Sequence, residues 1–293
     1  MEIQVVGAGS LGSLLAAFLD ADGHEVHVVG RVRDVEAIRR DGVRVTGENE
    51  IHASPSADTR AVDADVSFVA VKSYDTGDAA ELLDGKRGVA VSLQNGMGNE
   101  ATLDEALDAE VLAGVCEVGA RKVEPGVVEH AGGRSISLGA PEGGGSSAEE
   151  IAEALDGRLS FEARDDMPRV LWSKLAVNSA LNPVTALTRL SNGEALERAG
   201  EVVETAARET ADVARADDVS LARSDAVARV RSVARETASN RSSMLRDVER
   251  GRKTEVDSIN GYVVRRAGRH DVDVPVNRAL WRLVRAVEAP LTK

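Results

Sequence analysis

Aromatic side chains are nearly missing from this chain, with two tryptophans, two tyrosines and three phenylalanines in 293 residues. Its cores must therefore be packed from aliphatic side chains. Hydrophobic residues make up 43%, which excludes a disordered chain. Cys116 is the single cysteine, so a disulfide framework and a thiolate metal cluster are excluded, and a reducing, cytoplasmic setting fits. The five histidines, His24, His27, His52, His130 and His270, show no metal-ligand spacing. Neither a metal site nor a catalytic histidine is expected. No apolar run reaches the ~20 residues that a membrane-spanning helix needs. The N-terminal MEIQVVGAGSLGSLLAAFLD lacks a basic start and is broken by glycines, so it does not read as a signal peptide.

Lysine is scarce too, with six against thirty arginines. The formal net charge is −13, which opposes non-specific nucleic-acid binding. An acidic, lysine-poor surface suits high salt, and a halophilic source is one reading. A GC-rich genome would give the same arginine bias.

What is present divides into two halves. The first alternates short β-rich runs with helical patterns. EIQVV (2–6), EVHVV (25–29), VSFVAVK (66–72), GVAVSLQ (88–94) and VLAGVC (111–116) read as strands, several of them apolar throughout, as in a buried parallel sheet. An apolar helix is expected from about 11 to 21. EPG (124–126) suggests a hairpin-like edge region, and FEARDD (161–166) a last strand. After Asp166 strand signals nearly vanish. Asp166 and Pro168 mark a helix start, and segments 194–216, 224–238, 242–250, 254–269 and 277–288 read as helices. The expectation is an α/β Rossmann-type doubly wound sheet over 1–166 followed by an all-α helical domain over 167–293.

GAGSLG (7–12) matches G-x-G-x-x-G after a strand and before a helix. Gly7 would allow the tight turn, Gly9 the approach of a pyrophosphate, and Gly12 close helix packing, with Ala8, Ser10 and Leu11 completing the loop. A bare glycine-rich turn is the plain alternative. The second strand ends in VVGRVRD, so Gly30 and Arg31 stand where an acid would bind NAD ribose. Arg31, helped by Arg33, could clamp a 2′-phosphate, which favours NADP(H) over NAD(H), although Asp34 could serve NAD by another path. Lys72 and Asn95 fall at or just past strand ends, where open α/β sheets bind ligands.

In LWSKLAVNSALNPVTALTRL (171–190), Lys174, Asn178 and Asn182 recur every four residues and share one helix face. The stripe is either a solvent face, with Pro183 marking a kink or helix end, or the floor of a polar ligand site. Hydride transfer to a ketone leaves charge on oxygen. An ammonium there lowers the barrier, and amides can hold hydroxyl and carboxylate groups.

Taken together, the chain resembles the ketopantoate reductase (2-dehydropantoate 2-reductase) family. The resemblance rests on GAGSLG, Arg31, VKSYDT (71–76), QNGMG (94–98), GARKVEPGVVEHAG (119–132), LWSKLAVNSALNPVTAL (171–187), SNGE (191–194), NRSSMLRDVERGRKTEVDSINGYVVRRA (240–267) and VPVN (274–277). It covers essentially the whole chain. It implies NADPH-dependent reduction of 2-dehydropantoate to (R)-pantoate on the route to pantothenate and coenzyme A, with substrate in the cleft between the domains. It implies Lys174 as general acid. Asn178, Asn182 and Ser243 become substrate contacts, with Asn95, Asn192 and Asn240 beside them. Glu255 becomes an acid near both the reacting region and the cofactor, and Arg31, Lys72, Asn95 and the backbone of Ala120 become cofactor contacts. Coenzyme A feedback occurs in some archaeal members and would compete for the nucleotide site. A homodimer is an expectation that no residue fixes.

Two alternatives stand. One is another NAD(P)-dependent 2-oxo acid, opine or glycerol-phosphate type dehydrogenase, although a phosphate-bearing substrate should need more cations than one lysine. The other is a non-catalytic NADP-binding sensor, which would need neither Lys174 nor Glu255.

Overall fold

The computed structural model describes residues 1–288 and divides the chain into two compact units. The first comprises Met1–Gln94 and Asn99–Met167. The second comprises Asn95–Gly98 and the chain from Pro168 on. The last five residues of the expected second domain, 289–293, lie outside the described residues.

In the first unit the order is β1 (Glu2–Val6), α1 (Ser10–Ala21), β2 (Glu25–Val29), α2 (Val32–Asp41), β3 (Val43–Gly47), β4 (Ile51–Ala53), β5 (Ser56–Asp58) and β6 (Val66–Val69). A 3-10 turn (Ser73–Asp75) follows, then α3 (Thr76–Leu83), β7 (Val89–Ser92), α4 (Asn99–Asp104), β8 (Val111–Glu124), β9 (Val127–Gly139), α5 (Ala148–Leu155) and β10 (Ser160–Ala163). These strands form one ten-stranded sheet in the order β4-β3-β9-β8-β7-β6-β1-β2-β5, with β10 paired to β9. Neighbours from β8 through to β5 are all parallel. Alternation along β1 shows why its sequence is apolar on both sides. Ile3 and Val5 pack with Leu14, Leu15 and Phe18 of α1, while Val6 packs with Val69, Ala79 and Leu83 on the opposite face. The chain runs from β1 outward to β2 on one side and later returns to β6 on the other. The strand order therefore reverses at β1, which opens a crevice at the C-terminal ends of β1 and β6.

The structure corrects several readings. VSFVAVK is a strand only to Val69, so Lys72 lies beyond the strand end and precedes the 3-10 turn. The hairpin of β8 and β9 is not an edge, because β3 and β10 occupy the outer side of β9 and satisfy its backbone groups. The short strands β3, β4 and β5 carry too little pattern over three to five residues to be read from sequence; α2 before them, ten residues with Val35, Ala37 and Ile38 buried, is not among the expected helices.

The second unit holds α6 (Met167–Thr188), α7 (Asn192–Ala216), α8 (Arg223–Glu236), α9 (Ser243–Glu249), α10 (Asn260–Arg269) and α11 (Pro275–Glu288). A capping box opens α7: the Ser191 hydroxyl accepts from the Glu194 amide, and the Glu194 carboxylate accepts from the Ser191 amide. Residues 254–259, expected as helix, are irregular at 254 and 255 and form a turn over 256–259. The helix α6 continues through Pro183 for five further residues. Proline cannot donate to the carbonyl four residues back, which is that of Ser179. The side-chain Nδ2 of Asn260 donates to that carbonyl at 2.9 Å, so the buried acceptor is satisfied and the helix need not stop. Asn260 also donates to Asn277 Oδ1 at 2.9 Å, and Asn277 donates to Glu209 and to the Ala206 carbonyl. The Glu209 carboxylate in turn accepts the amides of Val276 and Asn277 at the start of α11, each at 2.9 Å. The VPVN motif thus fastens α11 to α7 and α10.

Candidate active site

The nucleotide loop is built as the three glycines require. Gly7 sits at φ +118°, where a Cβ would come within 2.9 Å of the Ala70 and Val71 backbone. A Cβ on Gly12 would lie 1.9 Å from the Gly7 carbonyl oxygen. At Gly9, by contrast, the nearest atom to such a Cβ is 4.0 Å away, so the chain there faces open space. The first intrahelical bond of α1 runs from Ser13 to the Gly9 carbonyl at 3.1 Å, leaving the amides of residues 10–12 without a helical acceptor. An open Gly9 in front of a twelve-residue helix fits a pyrophosphate.

Arg31 is the extended residue that precedes α2, and its guanidinium is 86% exposed. It reaches Asp75 in the 3-10 turn at 3.3 Å, across the ends of β2 and β6. Lys72 is half-buried at the entry to the same turn. Ala120 lies on β8 beside a break in the ladder register, opposite His130.

Sequence reasoning missed Lys122, which comes from β8 to cover the loop. Its backbone amide donates to Ser10 Oγ at 3.0 Å, and its Nζ donates to the Ala8 carbonyl at 2.7 Å. The same ammonium pairs with Asp34 at 2.7 Å. One signal was available: with only six lysines in the chain, each invites a reason.

In the second unit the stripe on α6 is partly withdrawn from solvent. Asn182 is buried, and Lys174 and Asn178 are half-buried. The far side of the helix packs Trp172, Ala176 and Ala180 into the core, and Leu175 beside the stripe is buried with them. The structure brings Asn95 and Glu255 together although 160 positions separate them, with Asn95 Nδ2 donating to the Glu255 carboxylate at 3.2 Å. The neighbouring backbone enforces this meeting. The Met97 amide donates to the Ser258 carbonyl at 3.0 Å, and Gly96, at φ +83°, lies so close that a Cβ would be 2.4 Å from that oxygen. Glu255 is buried.

Ser243 is the exposed first residue of α9. Its predecessor Ser242 caps the helix and meets the Thr185 hydroxyl of α6 at 2.7 Å. Asn192 and Asn240 lie together at the joint between α7 and the α8–α9 connection. The Asn192 amide donates to the Asn240 carbonyl at 3.0 Å, and Asn192 Nδ2 donates to Thr237 Oγ1 at 2.8 Å.

A sheet that turns at its nucleotide loop, joined to a helical unit whose longest apolar helix carries an amine and two amides, defines a nicotinamide-dependent oxidoreductase. Known proteins narrow this class. Residues 3–143 match the family model described as Ketopantoate reductase PanE/ApbA, and residues 166–288 match the model of its C-terminal part. The 2-dehydropantoate 2-reductase of Archaeoglobus fulgidus is 40% identical over 294 residues, spanning 99% of this chain and 98% of that one. That of Halobacterium salinarum is 40% identical over 303 residues, spanning 98% and 99%. The crystal structure of a PanE/ApbA family ketopantoate reductase from Ralstonia eutropha JMP134 superposes with a TM-score of 0.91 at 32% identity, covering 98% of each chain. The chain belongs to the ketopantoate reductase family. Among the described residues, no helix is long and apolar enough to cross a membrane.

Proposed function

We propose that the chain reduces 2-dehydropantoate to (R)-pantoate with NADPH, in the cytoplasm, on the route to pantothenate and coenzyme A. The observation that carries this reading is the stripe of half-buried Lys174 and Asn178 and buried Asn182 on a core-packed helix of a family member. The glycine loop with Ser10 and Leu11, together with Arg31, Lys72 and the backbone at Ala120, would hold the cofactor, whose reduced nicotinamide supplies the hydride. Lys174 gives its proton to the keto oxygen as charge develops there, a contribution of ~10²–10⁴-fold for a positioned acid. Asn178 and Asn182 orient the substrate through its carboxylate and hydroxyl oxygens, and Ser243 takes one end of it, with Asn192 and Asn240 supporting that end. Glu255, held by Asn95, supplies a carboxylate that favours the charged form of a nearby amine and accepts from hydroxyl groups. Arg31 favours the phosphorylated cofactor because its exposed fork suits bidentate phosphate binding.

Purified protein is assayed for NADPH oxidation against 2-dehydropantoate and a panel of other 2-oxo acids. Turnover of 2-dehydropantoate in preference to the panel supports the proposal. Rapid oxidation with another acid and none with 2-dehydropantoate rejects it. The Lys174→Ala variant should lose at least ~10²-fold in kcat with little change in NADPH binding. Unchanged turnover would remove Lys174 from the mechanism; no turnover of any 2-oxo acid by the parent chain would point to a cofactor-binding sensor.

A further inference from the structure

We infer that Lys122 sets the preference for the phosphorylated over the unphosphorylated dinucleotide by neutralising Asp34; the inference rests on the NADPH reading above. In α/β dinucleotide folds a carboxylate just past the second strand holds ribose hydroxyls and repels a 2′-phosphate. This chain has no acid at that strand end, but it carries one a few residues later, in the first turn of α2. Asp34 would restore the repulsion that replacing the usual acid by Gly30 and Arg31 removed. Lys122 prevents it. Its Nζ lies 2.7 Å from Asp34 Oδ1 and 2.7 Å from the Ala8 carbonyl oxygen, so one cation ties the acid to the glycine loop.

Three features make this a built contact rather than a chance surface pair. The two side chains are 24% and 19% exposed, whereas Arg31 in its pair with Asp75 is 86% exposed, so the Lys122–Asp34 attraction is less screened by water and salt. The Lys122 backbone is held independently, its amide donating to Ser10 Oγ at 3.0 Å. The β8–β9 ladder shifts register on both sides of this residue, between Gly119 and Ala120 and again between Lys122 and Glu124. Such bulges re-aim side chains out of the regular pleat. The space is also narrow: a Cβ on Gly30 would lie 2.9 Å from the Ala8 Cβ, so the loop and the end of β2 nearly touch. A compact ammonium suits such a gap better than a planar guanidinium. The choice of lysine fits that geometry in a chain that otherwise uses arginine five times as often.

The test is a thermodynamic cycle on the full chain. Dissociation constants for NADPH and for NADH are measured by fluorescence titration on the parent, Lys122→Met, Asp34→Asn, the double variant and Lys122→Arg. Lys122→Met should lower the NADPH:NADH affinity ratio by about tenfold, as expected for one unmasked, partly buried charge. Asp34→Asn alone should leave the ratio unchanged or raise it, and in the Lys122→Met background it should return the ratio to within about threefold of the parent. Lys122→Arg keeps the charge but not the compact head, so its ratio should fall between those of Lys122→Met and the parent. Equal weakening of both cofactors by Lys122→Met, or no rescue by Asp34→Asn, overturns the inference, because a purely structural lysine would affect the two alike. If Lys122→Met does not fold, a fall in the ratio for Asp34→Asn overturns it by itself. A parent chain that prefers NADH would reject the NADPH reading, yet the change of ratio between variants would still score Lys122.

Discussion

At the scale of single residues, the glycine loop separates folding from binding. Gly12 has no room for a methyl group, since its Cβ would sit inside the Gly7 carbonyl. Gly9 has room, which the proposed function assigns to the dinucleotide. Gly12→Ala should therefore lower stability by ~3 kcal/mol or more, a loss at the top of the overpacking range because the obstacle is backbone. Gly9→Ala should change stability by only a few tenths of a kcal/mol, the difference between glycine and alanine before a helix, while weakening dinucleotide binding by about tenfold or more. Chemical unfolding and cofactor titration of the two variants check this. Equal stability losses, or intact binding by Gly9→Ala, would contradict the assignment. The same scale holds the proposed general acid: Lys174 is half-buried on a helix fixed by core packing.

At the scale of elements, α6 is the piece on which the second unit depends. It carries the proposed substrate floor, and it also carries a proline that ought to break it. The break is avoided because Asn260 of α10 supplies the donor that Pro183 lacks. Removing it by Asn260→Ala leaves the buried Ser179 carbonyl unsatisfied and should cost about 1–3 kcal/mol. Adding Pro183→Ala restores a backbone amide that can reach the Ser179 carbonyl, so the loss from Asn260→Ala should be smaller in that background. Urea midpoints at constant slope for the four members of the cycle measure the coupling. Additive effects would mean that Asn260 acts only through Asn277 and the α11 cap. Because Asn178 and Asn182 flank the relieved carbonyl, a displaced α6 should also raise KM for the keto acid.

At the scale of the whole molecule, the formal charge of −13 governs behaviour in salt. Many acids are individually paired. Glu204 meets Arg208 and Arg231, Asp212 meets Arg215 and Arg223, and Asp217 meets Arg266 and His270. Arg208, Arg215, Arg223 and Arg231 are 41–59% exposed, and such contacts contribute ~0–1 kcal/mol each, whereas the Arg266–Asp217 pair is more withdrawn. The surplus of carboxylates repels over longer distances. Salt screens both, as the Debye length shrinks from ~10 Å at about 0.1 M to ~3 Å at about 1 M. With weak pairs and a large net charge, repulsion dominates, so the thermal unfolding midpoint should rise with potassium chloride over that range. A midpoint that falls would show that the arginine pairs outweigh the net charge.

The sequence by itself determined much of this protein, because local patterns suffice where neighbours in the chain are neighbours in space. Short β-rich runs, several apolar throughout, marked β1, β2, β6 and β7, the spaced glycines marked a nucleotide loop, and four-residue spacing put Lys174, Asn178 and Asn182 on one face of α6. Pattern alone could not choose between a solvent face and a ligand floor, since spacing carries no information about what covers a face. Only tertiary structure decided that Glu255 meets Asn95, that Lys122 meets Asp34 and that Asn260 lets α6 pass through Pro183. Each of these joins groups tens of residues or more apart. A hydrogen bond depends on ångström-scale distance between atoms, and folding, not sequence proximity, sets that distance.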